Sequence, residues 1–209
     1  MLKNTLFVFV AILAISCSKS INRKVMLFYN GDANISQYKI VNKTNQLFSS
    51  KEFDISGFAY ADQIEIDKDG KKYTIPIPKQ TGYYVLNIST DTVYGSLKPS
   101  RPLVIDSANT AQAKALADSL QQLLEGKNIS AANHNYRVLP NELILVSANV
   151  EGVRLFPPYK EMYGTVEGPA DGSAPEIYKF NATEEVKFEL ANYRNIYEPV
   201  ILKRKPAKK

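Results

Sequence analysis

Residues 64–77, IEIDKDGKKYTIPI, decide the fold, because two alternating segments flank a short turn. In Ile64–Ile66 and Tyr73–Ile77 apolar residues alternate with other residues, and a period of two places alternate side chains on one face of a strand. Asp69-Gly70 lies between the segments and is the residue pair that a tight hairpin turn favours. The stretch therefore predicts an antiparallel hairpin.

Further strands are predicted on both sides of this hairpin. Lys24–Tyr29 and Tyr38–Val41 precede it, and Gly82–Ile88 and Leu103–Ile105 follow it. These segments are rich in Tyr, Val, Ile and Thr, which fit a pleated and half-buried surface. We therefore interpret residues 24–105 as a β-rich lobe.

One helix is predicted at about residues 107–125. The segment contains good helix formers without Gly or Pro, and Asp106 or Ser107 can accept hydrogen bonds from its first amides. Gly126 stands where a left-handed residue ends a helix, so the helical unit spans 106–126. The residues expected on its apolar face are Ala113, Leu116, Ala117, Leu120, Leu123 and Leu124.

Residues 135–203 are predicted to form a second β-rich segment or lobe. Glu142–Val150 and Gly152–Phe156 are separated by a turn. In Val186–Leu190 apolar and charged residues alternate, which favours a strand with one wet face. Pro199–Leu202 is the last strand predicted.

Together these segments predict a mainly β fold with one helix. We expect a β-sandwich-like lobe, Ig-like or transthyretin-like, or two lobes flanking the helix. The chain has 209 residues. The β-rich segments and the helix lie within its last roughly 185 residues, which are enough to bury a sizeable core.

The N-terminus has the pattern of a secretion signal. Met1–Asn4 carries a positive charge, and Thr5–Ile15 is apolar without interruption. A helix of that length would reach about 16 Å, which is too short for a ~30 Å hydrocarbon core. We interpret residues 1–16 as a signal peptide that is removed, rather than as a membrane-spanning helix.

The residues that end this leader, Ala14-Ile15-Ser16-Cys17, resemble the lipobox of bacterial lipoproteins. Ala14 stands where that pattern prefers Leu. The resemblance implies cleavage before Cys17, a diacylglyceryl thioether on its sulfur and acylation of the new amine, for example with palmitate. Two or more acyl chains are enough for stable membrane attachment. The alternative is a core cysteine that follows an ordinary signal peptide.

Residues 17–23 are expected to form a lipidated tether. Ser18 directly after the cysteine resembles the outer-membrane sorting signal of bacterial lipoproteins, which implies a lipid anchor on the outer membrane with the body facing the periplasm. Cys17 is the only cysteine, so no intramolecular disulfide can form.

The positive charge of the chain is concentrated at its C-terminus. The formal net charge is +5, and Lys203–Lys209 contains five basic residues. This basic tail, assigned to residues 204–209, could contact anionic lipid or peptidoglycan, or it could be a solvated terminus. Nucleic acid is not an expected partner, because the leader directs the chain out of the cytoplasm.

Residues with catalytic or metal-binding chemistry are scarce. His134 is the only histidine and lies in a predicted loop, so a Ser-His-Asp arrangement would have to use it. The pattern of Asp67–Gly70 begins like a calcium loop, but the twelfth position is Pro78 rather than Glu. We therefore predict no catalytic residue, no metal site and no cofactor.

Four tyrosines are candidate contacts for a ligand or partner: Tyr83, Tyr84, Tyr159 and Tyr163. Their alternative role is strand packing, or contact within a loop. We expect a non-enzymatic cell-envelope lipoprotein that acts as a structural or protein-interaction component of a secretion, motility or envelope assembly. The alternatives are a glycan- or peptide-binding lipoprotein and a carboxylate-based hydrolase.

Overall fold

The computed structural model describes residues 21–31, 35–47, 49–56, 61–99, 110–156, 166–170 and 172–198. These residues form twelve strands in three sheets and two α-helices, which confirms the prediction of a mainly β fold. None of the helices in the described ranges is long and apolar enough to cross a membrane.

The strands are β1 (Arg23–Phe28), β2 (Ile35–Ile40), β3 (Lys43–Asn45), β4 (Lys51–Asp54), β5 (Gln63–Lys68), β6 (Lys71–Pro76), β7 (Gly82–Asn87), β8 (Val93–Lys98), β9 (Asn135–Val138), β10 (Leu143–Ser147), β11 (Val153–Phe156) and β12 (Glu176–Ala182). The helices are α1 (Thr110–Leu124) and α2 (Thr183–Tyr197), and Ala131–Asn133 forms a short 3-10 turn.

The three sheets are named by their position. The central sheet has the order β10-β7-β1-β4, the outer sheet β3-β2-β5-β6, and the helix-side sheet β11-β12-β8-β9. β7 from the first β-rich segment pairs with β10 from the second, and β8 pairs with β9 and β12. The two β-rich segments of the sequence therefore share two sheets.

The central sheet is covered on both faces. β1 and β7 run parallel, every residue of β7 is buried, and so is every residue of β1 except Lys24. Strands that are buried on both faces have nearly continuous apolar sequences, which explains the unbroken apolar runs at these positions.

Three hydrophobic clusters hold the layers together. The first joins the central and outer sheets through Val25, Leu27, Tyr84, Leu86, Ile64 and Ile66, among others. The second joins the central and helix-side sheets through Met26, Phe28, Val85, Val93, Tyr178 and Phe180, among others. The third packs both helices on the far face of the helix-side sheet through Tyr94, Leu120, Leu123, Val186 and Leu190.

The predicted hairpin is present as β5 and β6. Lys68 pairs with Lys71, and Asp69 and Gly70 have φ angles of +51° and +71°. Positive φ at both central residues is the requirement of a type I′ turn, which explains the Asp-Gly pair. Ile64 and Ile66 are buried against the central sheet.

The predicted helix is present as α1. Gly126 has a φ of +71°, and its N–H donates to the Leu123 carbonyl at 3.1 Å, while the Lys127 N–H donates to the Gln122 carbonyl at 2.8 Å. This pair of bonds satisfies carbonyls at the end of the helix, as a left-handed cap does. The proposed N-terminal caps, Asp106 and Ser107, lie outside the described residues.

The strand predicted over Val186–Leu190 is wrong, because these residues belong to the second helix, α2. Val186 and Leu190 are buried, but Phe188 between them is 70% exposed. Residues i and i+4 share a helix face, so Val186 and Leu190 lie on one side in a helix as well as in a strand. The helix start is stabilised by Glu185, whose carboxylate accepts from the Ala182 N–H at 2.9 Å.

Several predicted segments lie outside the described residues. They are the signal peptide 1–16, the lipidated Cys17, the strands Leu103–Ile105 and Pro199–Leu202, and the basic tail 204–209.

Candidate functional site

A cavity of about 400 Å³ lies between the central sheet and the helix-side sheet. Lys24, Glu52 and Tyr83 line it from the central sheet. Its other wall comes from Glu151, from β11 and from Val166. A volume of this size falls within the range of ~300–1,000 Å³ that is usual for ligand sites.

The register of the central sheet places its three lining residues on one face. Lys24 is paired with Tyr83, and Glu52 is paired with Met26, which is two residues along the same strand from Lys24. Paired residues, and residues two apart on a strand, point to the same side of a sheet. Met26 belongs to the cluster that faces the helix-side sheet, so the three lining residues face it as well.

Tyr83 is the most unusual residue of this cavity. Its side chain is 1% exposed, and its hydroxyl has no hydrogen-bond partner among the described residues. A buried hydroxyl without a partner costs free energy, because the group has lost its water. The Tyr83 hydroxyl is therefore a polar group that is buried at a cost to stability.

The rim of the cavity carries charges of both signs. The Lys24 Nζ lies 3.9 Å from the Glu151 Oε2, and the Arg154 Nη1 donates to the carbonyls of Glu151 and Val153 at 2.9 Å each. With Glu52, the lining residues include two cations and two carboxylates. The formal charges of the rim therefore cancel.

The chain enters the fold beside this rim. The Asn22 side chain donates to the Glu151 Oε1 at 3.0 Å and accepts from the Ser56 hydroxyl at 2.6 Å. The Asn22 N–H also donates to the Thr81 hydroxyl at 3.3 Å. These contacts fix the point at which the N-terminal segment joins the body, next to the cavity.

The two described candidate tyrosines lie in the core rather than on the surface. Tyr83 and Tyr84 are each 1% exposed, so both pack inside the fold, as the alternative of strand packing predicts. Tyr84 faces the outer sheet, where its hydroxyl donates to the Gln80 carbonyl at 3.0 Å and burial raises its pKa. Of these two tyrosines, Tyr83 also lines the cavity between the central and helix-side sheets. Tyr159 and Tyr163 lie outside the described residues.

His134 belongs to a chain of hydrogen bonds. It follows the 3-10 turn with a φ of +53°, and its Nδ1 lies 2.6 Å from the Tyr178 hydroxyl, which donates to the Glu176 Oε2 at 3.2 Å. Burial raises the pKa of Tyr178. These bonds join the start of β9 to β12 and order that end of the helix-side sheet.

A second, shallower groove of about 260 Å³ lies on the outer sheet. The polar residues that line it are Gln37, Lys39, Thr44, Glu65, Asp67, Lys72 and Thr74. Lys39 and Glu65 pair across two strands at 3.5 Å. The groove offers many hydrogen-bonding groups on the outer sheet.

No group of three or more metal-ligating side chains occurs within the part of the chain that the structure describes. Asp69 and Gly70 of the calcium-loop-like stretch form the hairpin turn instead. The cavity between the central and helix-side sheets is therefore the candidate site that we consider further.

The charged rim residues were not identified from the sequence. Lys24, Glu52, Glu151 and Arg154 are ordinary charged residues spread over most of the chain, and no motif joins them. The pairing of β1 with β4 and β7, and of β11 with β12, brings them together.

Comparisons with known proteins identify no relative of this chain. No protein-family model matches the sequence, and neither a curated protein nor a solved structure matches it at a significant level.

Proposed function

We propose that this chain is a non-enzymatic lipoprotein of the bacterial cell envelope that acts as a structural or protein-interaction component. The observation that carries the proposal is the cavity between the central and helix-side sheets, which is lined by charged residues of both signs and by Tyr83. A buried polar group beside an open cavity is typical of a binding surface. Acyl chains on Cys17 would hold the protein at the outer membrane.

The position of the cavity supports a partner that is also held at the membrane. The segment from Cys17 to Asn22 spans at most about 17 Å when fully extended. Asn22 is bonded to Glu151 on the rim of the cavity. A lipid on Cys17 would therefore keep the cavity close to the bilayer surface, where another component of a secretion, motility or envelope assembly can reach it.

Site-specific photo-crosslinking in living cells tests the proposal. A photoreactive phenylalanine analogue replaces Glu151 on the rim, whose side chain is 69% exposed. The matched control carries the analogue at the exposed Thr74 on the outer sheet. We expect an adduct of defined mass from position 151 and none from position 74. No adduct from position 151 across growth conditions, or equal adducts from both positions, would contradict the proposal.

The outer-sheet groove supports a second candidate, a glycan-binding lipoprotein. Its exposed amide, hydroxyl and charged groups suit hydroxyl-rich ligands. A ligand that binds only the folded state raises the melting temperature. This candidate predicts that an envelope glycan raises the melting temperature of the wild type but not of Gln37→Ala. If no envelope glycan changes the melting temperature of the wild type, the glycan-binding candidate is ruled out.

A further inference from the structure

We propose that the cavity receives an extended peptide segment of a partner protein, which adds as a new strand to the edge of β11 that no described strand occupies. This inference rests on the proposed function and names the chemistry of the partner. Strand addition of this kind gives affinity through main-chain hydrogen bonds and specificity through pockets for alternate side chains.

The edge of β11 has main-chain groups available for such a strand. β11 is the last strand of the helix-side sheet, and its only described neighbour is β12. The Glu176 N–H donates to the Gly152 carbonyl at 2.9 Å, which shows that the Gly152 carbonyl points toward β12. Because alternate residues bond to the neighbour, Arg154 faces β12, whereas the N–H and C=O of Val153 and Leu155 point away from it.

The main-chain groups of β11 that point away from β12 differ in their hydrogen-bond partners. The Arg154 guanidinium donates to the Val153 carbonyl at 2.9 Å, which covers one acceptor. The N–H and C=O of Leu155 have no hydrogen-bond partner among the described residues. A peptide backbone offers a donor and an acceptor at the spacing that Leu155 requires.

Sheet geometry defines where an added strand would lie. A new strand would lie about 4.8 Å from β11 and would cover about 13 Å along its four residues. It would fill the cavity above Lys24 and Glu52, which line the floor on the central sheet. Its side chains that face inward would pack toward Tyr83, which lines the cavity.

The charges of the site favour a peptide over an anionic surface. Lys24 and Arg154 are balanced by Glu52 and Glu151, so the rim attracts neither anionic lipid nor nucleic acid strongly. We therefore expect a segment that has little net charge and alternating apolar residues.

A peptide selection on the purified, lipidated protein in detergent tests the proposal. The probe is a displayed library of random 12-residue linear peptides, from which one enriched peptide is synthesised with a fluorophore. We expect micromolar binding by anisotropy. In the complex, hydrogen exchange should slow at the Leu155 amide and not at the edge strands that do not line the cavity, which are β3, β6, β9 and β10. This localisation is made on the wild type and does not depend on the folding of any variant.

A pair of proline variants tests the main-chain contact. Leu155→Pro removes an outward N–H from the edge without breaking the β11–β12 ladder, so we expect binding at least tenfold weaker. Thr74→Pro is the matched control. The Ile77 N–H donates to the Asp62 carbonyl at 2.8 Å, which places the Thr74 N–H on the free side of β6. This control should leave binding unchanged.

Three results would overturn strand addition: no enriched peptide, equal binding by Leu155→Pro in a folded protein, or exchange protection at another edge. If the rim crosslink in cells also fails, the proposed function fails with it. If the rim crosslink succeeds while one of these three results is found, the interaction role remains and only the peptide-strand inference falls.

Discussion

Tyr83 and Tyr84 are neighbours in the chain with different surroundings. Both are buried, but they face opposite sides of β7. The Tyr84 hydroxyl donates to the Gln80 carbonyl, whereas the Tyr83 hydroxyl has no partner in the described part of the chain. A hydroxyl that is buried at a cost to stability is expected at a position that serves binding.

The two tyrosines therefore give a matched pair of substitutions. Tyr83→Phe removes an unsatisfied hydroxyl, so we expect the free energy of unfolding to stay the same or to rise by up to about 1 kcal/mol. Tyr84→Phe removes a hydrogen bond and should lower it by about 1 kcal/mol. Urea unfolding of both variants and the wild type measures the difference. A larger loss for Tyr83→Phe than for Tyr84→Phe would show that the Tyr83 hydroxyl already has a partner.

Buried tyrosines also determine the response to alkaline pH. Burial raises the pKa of Tyr178 and of Tyr136, so both stay protonated in the folded state at a pH where the unfolded chain ionises. Their contribution to stability is full below the unfolded pKa of about 10 and is lost as pH rises above it. The free energy of unfolding should fall between pH 9 and 11, and less steeply in Tyr178→Phe. An equal slope in the two proteins would contradict this assignment.

At the scale of elements, the apolar pattern of Val186–Leu190 in α2 fits both a strand and a helix. A strand would bury Val186, Phe188 and Leu190 together, whereas the helix buries the outer two and exposes Phe188. Leu190→Ala should lower the free energy of unfolding by about 2–5 kcal/mol, because it leaves a cavity between α2 and the helix-side sheet. Phe188→Ala should change it by less than about 0.5 kcal/mol. Thermal unfolding compares the two variants, and equal losses would favour the strand.

Elements with a strong local signal were predicted from the sequence. The Asp69-Gly70 hairpin, the apolar runs of β1 and β7, and α1 with its glycine cap all carry such a signal. β8 does not. Its apolar pattern is interrupted by Gly95, where a side chain would overlap the Phe180 ring. The residue that permits this close packing therefore removes the periodicity that would have identified the strand.

The candidate site could be predicted only in part. The sequence predicted Tyr83 as a candidate contact for a ligand or partner. Its burial and its position beside a cavity follow from the parallel pairing of β1 with β7. Lys24 and Glu151 are far apart in the chain, and their proximity depends on contacts between two different sheets. Such long-range pairing leaves no periodic pattern in the sequence.

At the scale of the molecule, stability comes from packing between layers. The outer sheet, the central sheet, the helix-side sheet and the two helices are joined by three hydrophobic clusters. Cys17 is the only cysteine of the sequence, so no disulfide within the chain supports this stack. The cavity lies at an edge between two of these layers, where a partner strand would extend the helix-side sheet.

The central claim is that acyl chains on Cys17 hold the body at the envelope membrane and present its cavity to a partner there. Cells that carry the photoreactive analogue at position 151 are labelled with palmitate, and Cys17→Ser is compared with the control Ser20→Ala. We expect the control to be labelled, membrane-bound and crosslinked to its partner. Cys17→Ser should have no label, should leave the membrane fraction and should form no adduct. A Cys17→Ser protein that stays labelled, membrane-bound and crosslinked would contradict the account.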